Sequence, residues 1–525
     1  MEEAALEQEG RDRTVNIKRA KEEIKNTIEA YLLKDSFGNY VIPAIRQRPV
    51  LLMGPPGVGK TQIMEQIARE CRIGLVAYTI THHTRQSAVG LPFIREKEYD
   101  GKVYSVTEYT MSEIIGAIHE KMEKTGIREG ILFIDEINCV SETMAPMMLQ
   151  FLQCKTFGNQ QVPEGWVIVA AGNPPEYNKS VRDFDVVTLD RVKRLDVEAD
   201  YGVWKEYAYR EQLHGAVISY LDIRKNNFYQ IETTVDGTLF ATARGWEDLS
   251  QILYVYEKLG KPVDAQVVGQ YIQFPRIARD FANYLELYYK YHRDYQIDEV
   301  LAGNVQPSAI SKLHFADFDE RLSVMGLLLS RLGEEFRLCY LKDLMVTGLF
   351  DHLKAVQRKL TGAADPEKKT ALLVKEERLQ AEEQLKKELE AGHLDKVSET
   401  AKRQILMWME GAEKAGDFEA VRASFAAEAD GRQQLIDETS EKLEYAFDFL
   451  EAAFGQGQEL VLFVTELTAG FFSAWFIREN GCDRYYKYNK GLLFAERGRA
   501  ISDRIEEAKE LMTGADLSMG DGRSM

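Results

Sequence analysis

The sequence predicts an α/β protein: a parallel-sheet core with crossover helices, then a helical second domain and a further all-helical C-terminal region. Three observations carry that reading. The glycine-rich stretch GPPGVGKT, residues 54–61, follows the apolar run Val50, Leu51, Leu52 and Met53 and precedes a segment with helical spacing of Ile63, Ile67 and Ala68. From about 46 to 205 short apolar runs alternate with helical patterns, as they do where parallel strands are joined by helices. Beyond 206 the apolar spacing stays helical almost to the end.

Residues 1–45 form an N-terminal extension with one charged helix over 15–33, where Ile17, Ile24, Ile28 and Leu32 share a stripe. The 46–205 core is expected to hold strands at 49–53, 74–80, 130–135, 166–171 and 194–198. Between the second and third lies FIREKEYDGKVYSVTEY, whose Asp100 and Gly101 signal a hairpin turn decorating the core. Residues 206–295 read as helices rich in Tyr and Leu, with no strand expected. From 296 to 525 the pattern is again helical, broken by TGAADP at 361–366. The Ala-, Glu-, Lys- and Leu-rich stretch at about 366–400 fits a long solvated helix or an antiparallel coiled-coil arm. The closing LSMGDGRSM has a disordered composition, and no solenoid period is present.

At 525 residues the chain has room for about three domains, and 45% hydrophobic with 29% charged residues is ordinary globular composition. A net charge of −18 argues against broad electrostatic wrapping of nucleic acid or an anionic membrane. The five cysteines, Cys71, Cys139, Cys154, Cys339 and Cys482, contain no CxxC pair, so neither a disulfide framework nor a zinc site is indicated. A reducing cytoplasm fits. The first residues, MEEAALEQEGRDR, lack the apolar core of a signal peptide. LVLFVTELTAGFFSAWFI, residues 460–477, approaches spanning length, but Glu466 in mid-bilayer is costly, so a buried core helix is expected. His82 and His83 form the one adjacent histidine pair and read as loop residues rather than metal ligands. The aromatics of DRYYKYNKGLLF, residues 483–494, read as helix packing rather than base stacking.

The chemistry sits in three motifs. Residues 54–61 match GxxxxGK[ST], in which glycines let successive N–H groups point inward at a helix N-terminus, a cradle for polyphosphate. Gly54, Pro55, Pro56, Gly57, Val58, Gly59, Lys60, Thr61 and Gln62 are the nucleotide-binding candidates. Lys60 would reach the β- and γ-phosphates of ATP, and Thr61 would put its hydroxyl on Mg²⁺. ILFIDEIN, residues 131–138, is a buried strand ending in two carboxylates: Asp135 for the Mg²⁺ shell, Glu136 to polarise the attacking water. WVIVAAGNPPEYN, residues 166–178, is a third strand whose exit residue, Asn173, can sense an intact γ-phosphate.

The succession GPPGVGKT, ILFIDEIN, AAGNPPEYN, TLDRVKRLDVEAD and ATARGWEDL resembles the AAA+ ATPases, and within them the MoxR-type branch that includes nitric-oxide-reductase and Rubisco activation chaperones. Gly90, Leu91 and Pro92 look like that branch as well. The resemblance covers roughly 40–295. It implies a P-loop α/β core at 46–205, a helical lid at 206–295 and assembly as a ring, usually a hexamer, with ATP between neighbours. It makes Asn173 sensor 1 and Arg244 the sensor 2 arginine. Arg191 best matches the trans-acting arginine finger, though Val192 stands where the family usually has Phe, and Arg194 is a second candidate. The implied function is ATP-driven remodelling or activation of a protein client, with a partner carrying a von Willebrand factor A domain that docks on residues 296–525. Two other readings compete: a motor acting on nucleic acid, and a nucleotide-gated scaffold with little turnover.

Overall fold

A computed structural model describes residues 14–490 except 83–87, 89, 141–143, 158–159, 178–180, 182–183, 236, 361–365 and 415–416. The acidic first residues, His83, the body of TGAADP and LSMGDGRSM lie outside the described residues, as does the side chain of His82. In chain order the strands are β1 (Thr14–Asn16), β2 (Val50–Met53), β3 (Gly74–Thr79), the pair β4 (Pro92–Tyr99) and β5 (Lys102–Tyr109), β6 (Gly130–Asp135), the short pair β7 (Thr156–Phe157) and β8 (Gln160–Gln161), β9 (Trp166–Gly172), β10 (Lys193–Glu198), and the pair β11 (Gln230–Thr234) and β12 (Gly237–Ala241).

Six of these form one sheet, ordered β1-β10-β2-β9-β6-β3, with every neighbouring pair parallel. Such a sheet is covered on both faces, which is why β2, β6 and β9 read as unbroken apolar runs. Leu51, Leu132, Ile134 and Ile168 pack on one face with the helices Glu113–Thr125 and Ala145–Cys154. Val50, Leu52, Phe133 and Val169 pack on the other with Ile17–Leu32 and Lys60–Cys71. The expected strands lie within one residue of those observed. The edge strand β1 was not expected; three residues are too short for a period-2 signal.

The β4–β5 hairpin turns at Asp100 and Gly101, with φ of +50° and +76°, the left-handed pair that a two-residue turn requires. The helical reading of 206–295 needs correction, because β11 and β12 form a second hairpin there. Its signal was present: Ile231, Thr233 and Thr234 are β-branched and precede Asp236-Gly237, a turn pair by composition.

The remainder is helical among the described residues. Helix Phe318–Leu360, 43 residues and about 65 Å long at 1.5 Å per residue, joins two cores. Near its start Val324, Met325 and Leu328 pack with Ala216 and Val217 of the helix Gly215–Ile223, while near its end Leu349, Leu353 and Val356 pack with Val374, Ile405 and Met409. In the 366–400 stretch, helix Pro366–Ala391 pairs with Lys396–Ala412, which follows after four residues, and also lies along Phe318–Leu360. The end of helix Pro366–Ala391 and the turn after it reach back to the α/β core, where Lys121 Nζ of the helix Glu113–Thr125 donates to Glu390 O at 2.6 Å and His393 Nε2 lies 3.2 Å from Ile73 O, just before β3.

The expected single helix over 460–477 is two, Gln458–Ala469 and Phe471–Asn480, bent by 93° at Gly470. No single described helix is long and apolar enough to cross a membrane, although this bent pair passes by length and composition. Leu460, Phe463, Val464, Phe472 and Phe476 are buried in the helical core.

Candidate nucleotide site

Residues 54–59 leave β2 as a loop, and the helix Lys60–Cys71 begins at their end with Gly59 left-handed at φ +92°. Glycine is required at two points. A Cβ on Gly54 would lie 2.8 Å from the backbone oxygen of Val197, and Gly57, at φ +76°, passes 3.3 Å from Thr242 by the same measure. The loop is thus pressed between β10 and the helix Ala243–Leu259.

Lys60 is buried, and its ammonium donates to Gly54 O at 2.8 Å, Pro55 O at 2.9 Å and Asn173 Oδ1 at 2.9 Å. Burial pushes its pKa down to about 8; Asp135 and Glu136 pull it upward and Arg244 downward, all to a smaller degree. Thr61 Oγ1 donates to Asp135 Oδ2 at 3.0 Å, so a hydroxyl and a carboxylate share one point at the mouth of the loop. Asp135 also accepts from the Glu136 N–H at 2.9 Å. Glu136 itself has φ +57°, a left-handed conformation that costs a non-glycine residue about 1–3 kcal/mol.

The structure brings Lys60, Thr61, Asp135, Glu136 and Asn173 to the C-terminal end of the parallel sheet, where strand ends and helix N-termini meet. Arg244 lies in the first turn of Ala243–Leu259, its Cβ 3.5 Å from the position a Gly57 Cβ would take. Its side chain is exposed. Gln62 Nε2 donates to Tyr207 Oη at 3.0 Å, and Tyr207 Oη donates to Glu247 Oε1 at 2.9 Å, tying the loop helix to the 243–259 helix. Tyr229 Oη donates to Pro56 O at 2.7 Å. Arg191 is not part of this group: it is exposed and donates to Gln153 Oε1. Arg194 is held by Asp196, Nε to Oδ1 at 2.9 Å.

Two contributors escaped the sequence reading. Thr81 Oγ1, just after β3, donates to Glu136 Oε2 at 2.8 Å. Asn138 Nδ2 donates to Asn173 O at 2.8 Å, and its Oδ1 is buried without a partner. A Cβ on Gly172 would meet that oxygen at 2.6 Å, so the Gly172-Asn173 pair at the end of β9 was a legible hint of close packing there.

The residues present fit a magnesium nucleotide. The loop is a glycine-bounded cradle with a buried lysine, and the Thr61 and Asp135 oxygens are the hard donors Mg²⁺ prefers.

Residues 50–189 match the family described as "ATPase family associated with various cellular activities (AAA)". The matched segment holds the loop and both carboxylates. It contains β2 through β9 and the connections between them, ends at Leu189 short of Arg191, and leaves β1, β10 and everything after β10 unmatched. Among solved structures the chain is similar to the FIGL-1 AAA domain in complex with ADP, at 15% identity over 44% of this chain and 68% of that one, TM-score 0.26. It is also similar to NtrX from Brucella abortus in complex with ADP, at 17% identity over 42% and 48%, TM-score 0.23. No curated protein sequence matches.

Proposed function

We propose that the chain is a Mg²⁺-dependent ATPase of the MoxR type, assembled as a ring, usually a hexamer, that uses hydrolysis to remodel or activate a protein client. The observation that carries the reading is the convergence of Lys60, Thr61, Asp135, Glu136 and Asn173 on one loop of an AAA domain. Lys60 holds the β- and γ-phosphates, Asn173 orients the γ-phosphate end, and Glu136 takes a proton from the attacking water. Thr61 and Asp135 would hold Mg²⁺, which would supply positive charge against the phosphates. Arg244 closes over the loop from the 243–259 helix.

Arg191, exposed and away from its own chain's loop, suits a role on the neighbouring subunit's γ-phosphate. The branch-level resemblance supports a partner with a von Willebrand factor A domain, and the helices beyond 296 are its docking candidate. Glu136→Gln in ATP should trap the assembled ring: sedimentation should give a hexamer that captures such a partner. A variant that stays monomeric at every nucleotide concentration contradicts the ring, and a ring that captures no such protein contradicts the partner.

A further inference from the structure

A cavity of about 810 Å³ opens beside the phosphate loop, within the range that holds drug-sized ligands. It is bordered by Gly57, Gly59 and Gln62, while Asp135, Glu136 and Asn173 stand outside it. A triphosphate laid along the loop with its γ end at those three residues therefore directs its nucleoside end into this cavity. The near walls come from the phosphate loop and its helix, from helices Ile17–Leu32 and Tyr201–Arg210, and from the 243–259 helix. The far wall does not: Tyr340, Phe471, Trp475 and Arg478 belong to helices Phe318–Leu360 and Phe471–Asn480, well outside the 50–189 match.

That wall is aromatic and held in place. The Tyr340 and Trp475 rings meet edge-on with centroids 5.0 Å apart, Tyr340 also meets Phe471 at 5.5 Å, and the Arg210 guanidinium carbon sits 5.6 Å from the Phe471 ring centre. Phe471 is nonetheless 42% exposed and Trp475 only partly buried, so the wall keeps apolar surface uncovered beside the cavity. The bend at Gly470 is what turns Phe471 and Trp475 toward the core.

We propose that the C-terminal region completes the nucleoside subsite in cis, with Trp475 and Phe471 covering the base of the bound nucleotide. A purine offers the flat apolar face that such a wall accepts, and base–aromatic stacking is strong enough to set affinity. Nucleotide occupancy then fixes the seat of helix Phe471–Asn480 on the core, which links the nucleotide state to the region beyond 296 without an intermediary.

The inference rests on the nucleotide reading above, and calorimetric titration separates the two. Mg·ATP and inorganic tripolyphosphate, which has no base, are titrated into the full chain, into Trp475→Ala and into Trp475→Phe. Trp475→Ala should weaken ATP about tenfold and leave tripolyphosphate unchanged, and Trp475→Phe should recover most of the loss. Equal ATP affinity in the wild type and Trp475→Ala, or parallel weakening of both ligands, overturns the inference while the nucleotide reading stands. A wild type that binds neither ligand overturns both. If Trp475→Ala does not fold, Phe471→Ala at the half-exposed position gives the same comparison: selective weakening of ATP supports the subsite, and unchanged ATP affinity rejects it.

Discussion

At the scale of single residues, the chemistry depends on charges held where water is scarce. Lys60 is the clearest case, since burial depresses its pKa to about 8 from an ordinary 10.5. A folded pKa below the unfolded one means that the unfolded chain binds more protons between about pH 8 and 10.5. The nucleotide-free protein should therefore gain stability from Lys60 as pH rises through that window. Phosphate binding needs the ammonium, so the sign reverses for the ligand. ATP affinity should fall as pH rises above about 8, and binding at pH 8 should take up a fraction of a proton. Calorimetry in two buffers of different ionisation enthalpy measures that uptake; none at pH 8 contradicts the assigned role. Lys60, Thr61 and Asp135 were legible because a fixed spacing serves a fixed geometry. Thr81 was not, because one threonine after a strand carries no spacing, and only the fold places it 2.8 Å from Glu136.

At the scale of elements, the sheet was readable because strands buried on both faces must be apolar throughout. The β11–β12 hairpin was overlooked among Tyr-rich helices, and the bend at Gly470 was hidden inside an apolar run that a straight helix would also explain. A junction of three elements left no trace in the sequence at all. Lys205 of Tyr201–Arg210 bonds Asp222 of Gly215–Ile223 and Glu466 of Gln458–Ala469, each at 2.6 Å, with its side chain only 11% exposed. Tyr201 and Tyr209 donate to the same two carboxylates at 2.8 Å each. Lys205→Met would leave two partly buried carboxylates, 24% and 21% exposed, with no cation between them. Its expected cost is about 3–5 kcal/mol, read by denaturant unfolding, because removing one member of a buried ion group strands the others. A loss below about 1 kcal/mol would show that the junction is open to water.

At the scale of the whole molecule, the AAA domain is one layer of a larger assembly of helices that touches it at several places. The 366–391 helix meets the helix Glu113–Thr125 through Glu390, His393 lies against Ile73 just before β3, and the 471–480 helix walls the cavity beside the loop. In the proposed ring, the remaining part of the site comes from the neighbouring subunit. Arg191→Ala should cut hydrolysis on the order of 10³-fold while ATP still binds, and mixing it with Lys60→Ala chains should restore turnover only if the arginine acts across subunits. Loss of activity in Arg194→Ala with Arg191→Ala unaffected would reverse the assignment, although Asp196 already holds Arg194.

The most direct measurement is steady-state phosphate release from Mg·ATP by the full chain and by Glu136→Gln. The wild type should turn over ATP, and Glu136→Gln should be slower on the order of 10²-fold or more with ATP affinity retained, because the carboxylate acts on water and not on the phosphates. Equal rates in the two proteins, or no release from the wild type under any condition in which ATP binds, would contradict the proposed hydrolysis at this site.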